Sequence, residues 1–370
     1  FKALCTTNLP TPTIADGSDY FDAVTYTSDG QSSKKLTFGF SPDLFWSKVR
    51  NFAEHHVLHD SVRGASKVLK SSNTDAESTE ASNRGVLSFD SDGVTIGIGS
   101  PYNSSGNNSV VWAWDAGSST VSNTDGSITS YVRANTSAGF SIVGYTGTGS
   151  NATVGHGLNA APEFVIVKSR DMSSSDWCVY HSGLSSTSHV LALHSTGAEE
   201  NNSSTFQGTA PTSAVFSLGT RGSANGSGND HIAYCMAPVE GYSAFGSYKG
   251  NGSLTNGSFT FLGFTPALVI IKNTQSSGSY SSWGMWDSAR NINAPALGSF
   301  NDPLWANRNV QEGKRGDGSS NASGAENTVH LLSNGFQVFG NGTEYNNSGV
   351  KYVYAAWAEN PFQANGGLAR

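Results

Sequence analysis

The sequence predicts an all-β chain of three tandem antiparallel β-sandwich modules, jelly-roll-like and related by internal repeat; three observations carry that expectation. Short runs of β-branched and aromatic residues alternate with Gly, Asn, Ser and Pro through the 370 residues, the signature of strands closed by tight turns. One strand occurs three times, as "GFSPDLFWSKV", "NAAPEFVIVKS" and "GFTPALVIIKN", with Pro42, Pro162 and Pro266 preceding Lys48, Lys168 and Lys272 at one fixed offset. Other landmarks stay in phase around it, which separates a true repeat from coincidence.

Taken in order, residues 1–19 read as a stiff Pro/Thr-rich linker from a preceding part of a longer protein. Repeat 1 spans 20–118. It opens with an aromatic and a small-residue tail ("TYTSDG" at Tyr26) and enters its central strand at Pro42, where a missing N–H does no harm. "VLHDSVR" follows, then "GVLSFDSDGVTIG", a Gly/Asn/Ser loop and a final strand, "VVWAWDAG". Residues 119–138 dilute the apolar pattern and read as a second linker. Repeat 2 (139–245) matches with "GYTGTGS", "WCVYHSGL", "SAVFSLG" and "HIAYCMAP", and repeat 3 (246–370) with "SYKGNGS", "WGMWDSAR", "VHLLSNGFQVFG" and "YVYAAWAENP". Repeat 3 carries a long insertion at 291–330. "SPDLFWSKVRNFAEHH" imitates an amphipathic helix, but its two counterparts do not, so it reads as a strand. The lysines read as solvated strand ends, and Trp114, Met236 and Trp357 as equivalent core positions.

Charged residues make up 13% of the chain, about half the roughly 25% of ordinary domains, and the net charge is −7 without any basic run. Neither nucleic-acid binding nor membrane insertion is expected. The three cysteines show no metal-type spacing, and Cys178 and Cys235 sit in apolar strands, so buried reduced thiols are expected.

Catalysis finds little support. No G-x-S-x-G window exists, the G-x-G pairs sit at hairpin-like turns, and His55 and His59 near Asp60 have no His pair at the matching places in the other repeats. No metal and no cofactor are therefore assigned. Asp60 and Asp287 occupy equivalent places, with His181 between them in the order of repeats, which suggests a structural turn rather than a carboxylate pair for glycoside cleavage. Binding leaves weaker marks. Loops rich in Asn, Gly and Ser with an aromatic or arginine suit a sugar face and its hydroxyls. These are "GSPYNSSGNNS" (Tyr102), "GTRGSANGSGND" (Arg221) and "GNGTEYNNSG" (Tyr345), and Trp305 in the insertion joins them.

The ordered set "TPTIADGSDYFDAVTYT", "FSPDLFW", "HDSVRGASKVLKSSNTDAES", "FDSDG", "NTDGSITSYVRANTSAGFSIVGYTGTG", "TVGHGLNAAPEFVIVKSRD", "VEGYSAFGSYKGNGS" and "WAENPF" resembles virion appendage proteins of marine tailed bacteriophages, in which this region often follows a concanavalin-like SPRY module. The resemblance implies a non-enzymatic tail fibre or spike on the virion surface. Its partners would be a host surface polysaccharide or receptor and other virion proteins, and its assembly a homo-oligomer, most simply a trimer. The alternatives are a structural fibre or spacer without a ligand and a polysaccharide depolymerase.

Overall fold

The structure, a computed structural model, describes residues 12–290, 303–314 and 327–361. Module 1 runs through β1 (Phe21–Thr27), β2 (Ser33–Thr37), β3 (Leu44–Val49), β4 (Val57–Asp60), β5 (Lys67–Val68), β6 (Ser78–Thr79), β7 (Val86–Asp90), β8 (Gly93–Gly97) and β9 (Asn108–Trp114). Its large sheet has the order β1-β9-β3-β4, and its outer sheet the order β2-β8-β7. Module 2 contributes β10 (Thr120–Asn123), β11 (Ser130–Asn135), β12 (Phe140–Thr146), β13 (Ala152–Gly155), β14 (Phe164–Ser169) and β15 (Trp177–His181). It continues with β16 (His189–Ala192), β17 (Glu200–Asn201), β18 (Val215–Leu218) and β19 (Asp230–Met236). Module 3 has β20 (Ser243–Lys249), β21 (Ser258–Phe261), β22 (Phe264–Asn273), β23 (Gly284–Asp287), β24 (Leu304–Trp305), β25 (Asn327–Leu332), β26 (Gly335–Gly340) and β27 (Lys351–Pro361).

The strand orders coincide. The large sheets contain β1-β9-β3-β4, β12-β19-β14-β15 and β20-β27-β22-β23, and the outer sheets β2-β8-β7, β13-β18 and β21-β26-β25. Register fixes the equivalence residue by residue: Leu44 faces Trp114, Phe164 faces Met236 and Leu268 faces Trp357. Pro42, Pro162 and Pro266 therefore fall at one place, and at Pro266 the ladder is locally shifted, as a strand proline requires.

Three expectations change. The stretch 119–138 is not a linker: β10 and β11 extend the large sheet of module 2, and Arg133 on β11 pairs with Asp43 of module 1 at 2.6 Å. Its apolar pattern is thin because Val121 and Tyr131 face solvent while Val132 and Ser130 are buried. The first linker is partly structured, with Ile14 in the core and a 3-10 turn at Gly17–Asp19. A Cβ on Gly17 would stand 2.3 Å from the Ala358 carbonyl oxygen, so only glycine lets this segment lie against β27. Of the expected insertion, residues 303–314 are described and hold β24, the counterpart of β5 and β16; 291–302 and 315–326 lie outside the described residues, as do Cys5 and 362–370.

The third change concerns the lysines. Lys48, Lys168 and Lys272 are fully buried, because each large sheet is covered on both faces. One face builds the sandwich core, for example Phe45, Val94 and Val111 in module 1. The other faces the remaining modules, and there Trp114, Phe140, Met236 and Trp357 share a single core. At its centre is a cavity of only about 10 Å³, lined by Leu44, Phe164 and Ile270 among others. Double burial turns these strands into continuous apolar runs instead of alternating ones.

The modules close into a ring. The Glu77 N–H donates to the Arg170 carbonyl (2.7 Å), that of Glu199 to Thr274 (2.8 Å) and that of Glu312 to Arg50 (2.7 Å), which links module 1 to 2, 2 to 3 and 3 to 1. Indole donors repeat the relation: Trp177 Nε1 bonds the Lys70 carbonyl at 3.1 Å and Trp283 Nε1 that of Ala192 at 3.0 Å. A pseudo-threefold arrangement follows from one chain.

The two repeated acids belong to these joints. Asp60 pairs with Arg63 and accepts from Tyr234 of module 2 (2.8 Å); Asp287 pairs with Arg290 and accepts from Trp112 Nε1 of module 1 (3.1 Å). In module 2 the pair becomes His181 and Leu184, and His181 Nε2 meets the Tyr354 carbonyl at 2.9 Å. Tertiary contact sets these residues, as the repeated placement suggested.

Candidate functional site

The loops singled out in the sequence share one internal device. Tyr26, Tyr145 and Tyr248 donate from their hydroxyls to the carbonyls of Tyr102, Ala224 and Tyr345 at 2.7, 2.6 and 2.6 Å. The next residue is in each case a buried asparagine: Asn103, Asn225 and Asn346 accept from the backbone N–H of Asp29, Thr148 and Asn251 at 3.0, 2.8 and 3.1 Å. Loops that read as variable tips are thus pinned to the turn after each module's first strand.

This corrects three of the four candidate binding residues. Tyr102 is fully buried, with its hydroxyl 2.9 Å from His59 Nε2 and donating to Glu80. Tyr345 packs edge-on against Trp286, with ring centroids 5.1 Å apart. Trp305 lies on β24 opposite Gly284, is 3% exposed, and donates from Nε1 to the Lys314 carbonyl at 2.7 Å. Its register gives it counterparts at Lys70 and Ala192, so it belongs to the repeated frame. None of the three offers a ring face to a ligand. The composition of Gly/Asn/Ser loops marks tight turns and solvated tips alike, and here the turn won.

Arg221 is different. It stands at the start of the one-turn helix Gly222–Asn225 and borders a cleft of about 230 Å³. Asp176 comes from the entry to β15, His194 from the exit of β16, Glu200 from β17, and Cys178 forms part of the floor. Arg221 Nη2 reaches Asp176 Oδ2 at 2.6 Å, Nη1 lies 3.7 Å from Glu200 Oε2, and His194 Nε2 lies 3.4 Å from Asp176 Oδ1. Burial lowers the His194 pKa, the Asp176 carboxylate opposing it. Burial raises the Cys178 thiol to about 12, which leaves it protonated and a poor nucleophile at neutral pH. His194 turns Nδ1 to the Trp177 N–H and Nε2 to Asp176, so no ring nitrogen is directed at Ser195 on the rim. Among the described residues, no group of three His, Cys, Asp or Glu could hold a metal ion.

The sister modules reveal what is particular to this cleft. Asp176 and His194 correspond to His55 and Ser72 in module 1 (2.9 Å apart) and to Ser282 and Asn307 in module 3 (3.3 Å apart). The same two positions touch in every module, but among the described residues the acid–base–acid cluster with Arg221 and Glu200 is found only in module 2. Sequence reading found Arg221 through its loop and missed Asp176, His194 and Glu200, which no local motif connects. Only aligning strand ends across repeats could have exposed them.

A clamped guanidinium, two partly open carboxylates and an imidazole can exchange hydrogen bonds with a polyhydroxylated ligand. In class, the protein is an all-β assembly of three sandwich modules around a common core, with one module adapted into a polar cleft. The chain belongs to the family described as Domain of unknown function (DUF7483), which it matches over residues 16–361, through all three modules. No curated protein matches it.

Proposed function

We propose that the chain is a non-enzymatic surface protein of a phage virion, a tail-fibre or spike-like appendage that attaches to a host surface glycan. The observation that supports it best is the module 2 cleft, where the repeated frame has been altered to converge Asp176, His194, Glu200 and Arg221 on about 230 Å³ of open space. That volume lies below the roughly 300–1,000 Å³ of drug-sized pockets and suits a small polar unit such as one sugar of a longer chain. Asp176 already neutralises the guanidinium, so hydroxyl recognition fits better than capture of a strong anion.

Single-sugar contacts are weak, and a homo-oligomer, a trimer on the family resemblance, would multiply them; linked sites raise apparent affinity by roughly 10² to 10⁴. Binding of the purified chain to whole host cells and to a glycan array tests the reading, with Arg221→Ala and Glu200→Gln as variants expected to weaken the signal while keeping the wild-type melting temperature. Undiminished binding by both variants would remove the cleft from the proposal. Absence of any glycan binding would favour a structural spacer, and release of shortened polysaccharide a depolymerase.

A further inference from the structure

The outer sheet of module 3 presents a surface that its sister modules do not. Three of the eight exposed large apolar side chains among the described residues fall between positions 254 and 261: Leu254 (44%), Phe259 (47%) and Phe261 (67%). Phe259 and Phe261 alternate on β21 with the half-buried Ser258 and Thr260, so both point outward, about 6.8 Å apart along the strand. Among the described residues β21 is an edge strand and pairs only with β26. On the same outward face, Gln337 lies opposite Phe259, and the rings of His330 and Phe339 stand 4.9 Å apart.

The repeat supplies its own control. Register places Phe259 and Phe261 where module 1 has Lys35 and Thr37 and module 2 has Thr153 and Gly155, since Thr260, Leu36 and Val154 face the buried Phe336, Val94 and Phe216. The fold therefore asks for no aromatic at either position. Module 1 guards this edge with lysines, Lys34 paired to Asp29 and Lys35 to Asp92, as exposed edge strands commonly are. Module 2 covers it with the segment around Ile128, which bridges to Val154. Among the described residues, module 3 does neither.

We infer that the outer face of β21, with Phe259 and Phe261 as paired stacking platforms, is a second glycan contact and takes an uncharged polysaccharide. The choice of occupant rests on charge. The strands β21, β26 and β25 contain no Lys, Arg, Asp or Glu, unlike the equivalent edge of module 1, so the face offers an acidic polysaccharide no counter-charge and a basic peptide no partner. Ring faces suit the C–H side of a neutral sugar, and Gln337, whose Nε2 donates to the Gly257 carbonyl at 3.0 Å, keeps its amide oxygen to accept from a sugar hydroxyl. Two platforms on one strand suit successive units of one chain. This inference rests on the glycan-attachment reading, but uses a different surface and ligand class from the cleft.

The test is affinity electrophoresis of the whole chain through gels containing dextran, galactomannan, xylan or polygalacturonate. The variant is F259K/F261T, which carries the residues that module 1 holds at these places and therefore suits the fold; its melting temperature should stay at the wild-type value. The expected result is retardation by at least one neutral polysaccharide, weakened about tenfold or more in F259K/F261T and retained in Arg221→Ala. Retardation by polygalacturonate alone, or equal retardation of variant and wild type by neutral gels, overturns the inference and leaves glycan attachment standing. No retardation in any gel overturns the inference, and attachment is then judged separately on whole cells. A wild-type dimer that F259K/F261T converts to monomer in light scattering overturns it in favour of self-association.

Discussion

Replacing Arg63 with leucine tests the joint between modules 1 and 2 directly. The guanidinium is wholly buried against Asp60, lies 3.1 Å from Glu77, and donates to the Leu58 carbonyl at 2.9 Å. After Arg63→Leu, Asp60 keeps the Tyr234 hydroxyl and the N–H groups of Val62 and Arg63, at 2.8, 3.1 and 2.8 Å, but loses its counter-charge. Glu77 retains Arg170, so the damage centres on Asp60. Breaking a buried pair from one side costs about 3–5 kcal/mol, because the remaining charge stays desolvated. Module 2 predicts the remedy. It builds the same corner from His181 and Leu184 with no ion pair, so leucine has room there and the charge is dispensable once both partners go. Asp60→Asn combined with Arg63→Leu should therefore recover most of the loss and end about 1–2 kcal/mol below the parent. Urea denaturation followed by the fluorescence of the core tryptophans reads both variants. A single variant within about 1 kcal/mol of the parent, or a double variant no better than the single, would show that tight packing rather than charge compensation holds the joint.

Three further outcomes follow from named groups. Burial lowers Lys48 and Lys272 to about 7 and Lys168 to about 8, so between those values and the ordinary lysine range the unfolded chain binds more protons than the folded one. Stability should thus rise with pH from about 7 towards 10, by up to about 1.4 kcal/mol per pH unit for each titrating lysine, and Lys272→Met should flatten part of that rise in denaturation measured at pH 7, 8 and 9. Asn225→Ala removes an acceptor for Thr148 N–H (2.8 Å) and a donor to the Ser150 and Gly219 carbonyls (both 2.7 Å), which should cost about 3 kcal/mol in chemical denaturation; a loss below about 1 kcal/mol would mean water replaces the amide. Trp305→Ala should cost about 3–5 kcal/mol as a cavity mutation and leave glycan binding per folded molecule unchanged, whereas reduced binding with an unaltered melting temperature would restore the surface role that burial denies it.

The fold was legible because repetition multiplies a weak signal. One copy of "SPDLFWSKV" is ambiguous between helix and strand, but three copies with a fixed Pro and Lys offset admit only a strand, and β3, β14 and β22 occupy the same place in their sheets. What repetition could not reveal was the second burial of the large sheets. A lysine at a strand end looks solvated unless one knows that a neighbouring module's carbonyls await it, as the Thr74 carbonyl does for Lys168 and that of Thr196 for Lys272. The binding candidates failed for a related reason. Tyr102, Trp305 and Tyr345 are large residues in or near loops, and long-range packing decides whether such residues face a ligand or a core. Arg221 borders an open cleft instead, because a charged side chain in that loop has no apolar place to go.

Residues shared by all three modules, the pinning Tyr and Asn, the buried lysines and the arms through Glu77, Glu199 and Glu312, serve a frame that each module must build. On the proposed attachment role, selection for recognition is free to act only where modules may differ without breaking that frame. The Asp176–His194 position satisfies this condition, since His55–Ser72 and Ser282–Asn307 close the same contact with other chemistry. The β21 face satisfies it as well, since Lys35 and Thr153 serve the same strand position. Exchanging these two sets among modules is therefore expected to move binding without moving stability, whereas exchanging Asp60 and Arg63 for His181 and Leu184 should disturb the joints alone. A variant combining Asp176→His with His194→Ser, the residues module 1 holds at these places, should melt within about 1 kcal/mol of the parent, because the ion pairs it loses are partly solvent-exposed. Larger destabilisation would place the cleft in the frame and withdraw it from recognition.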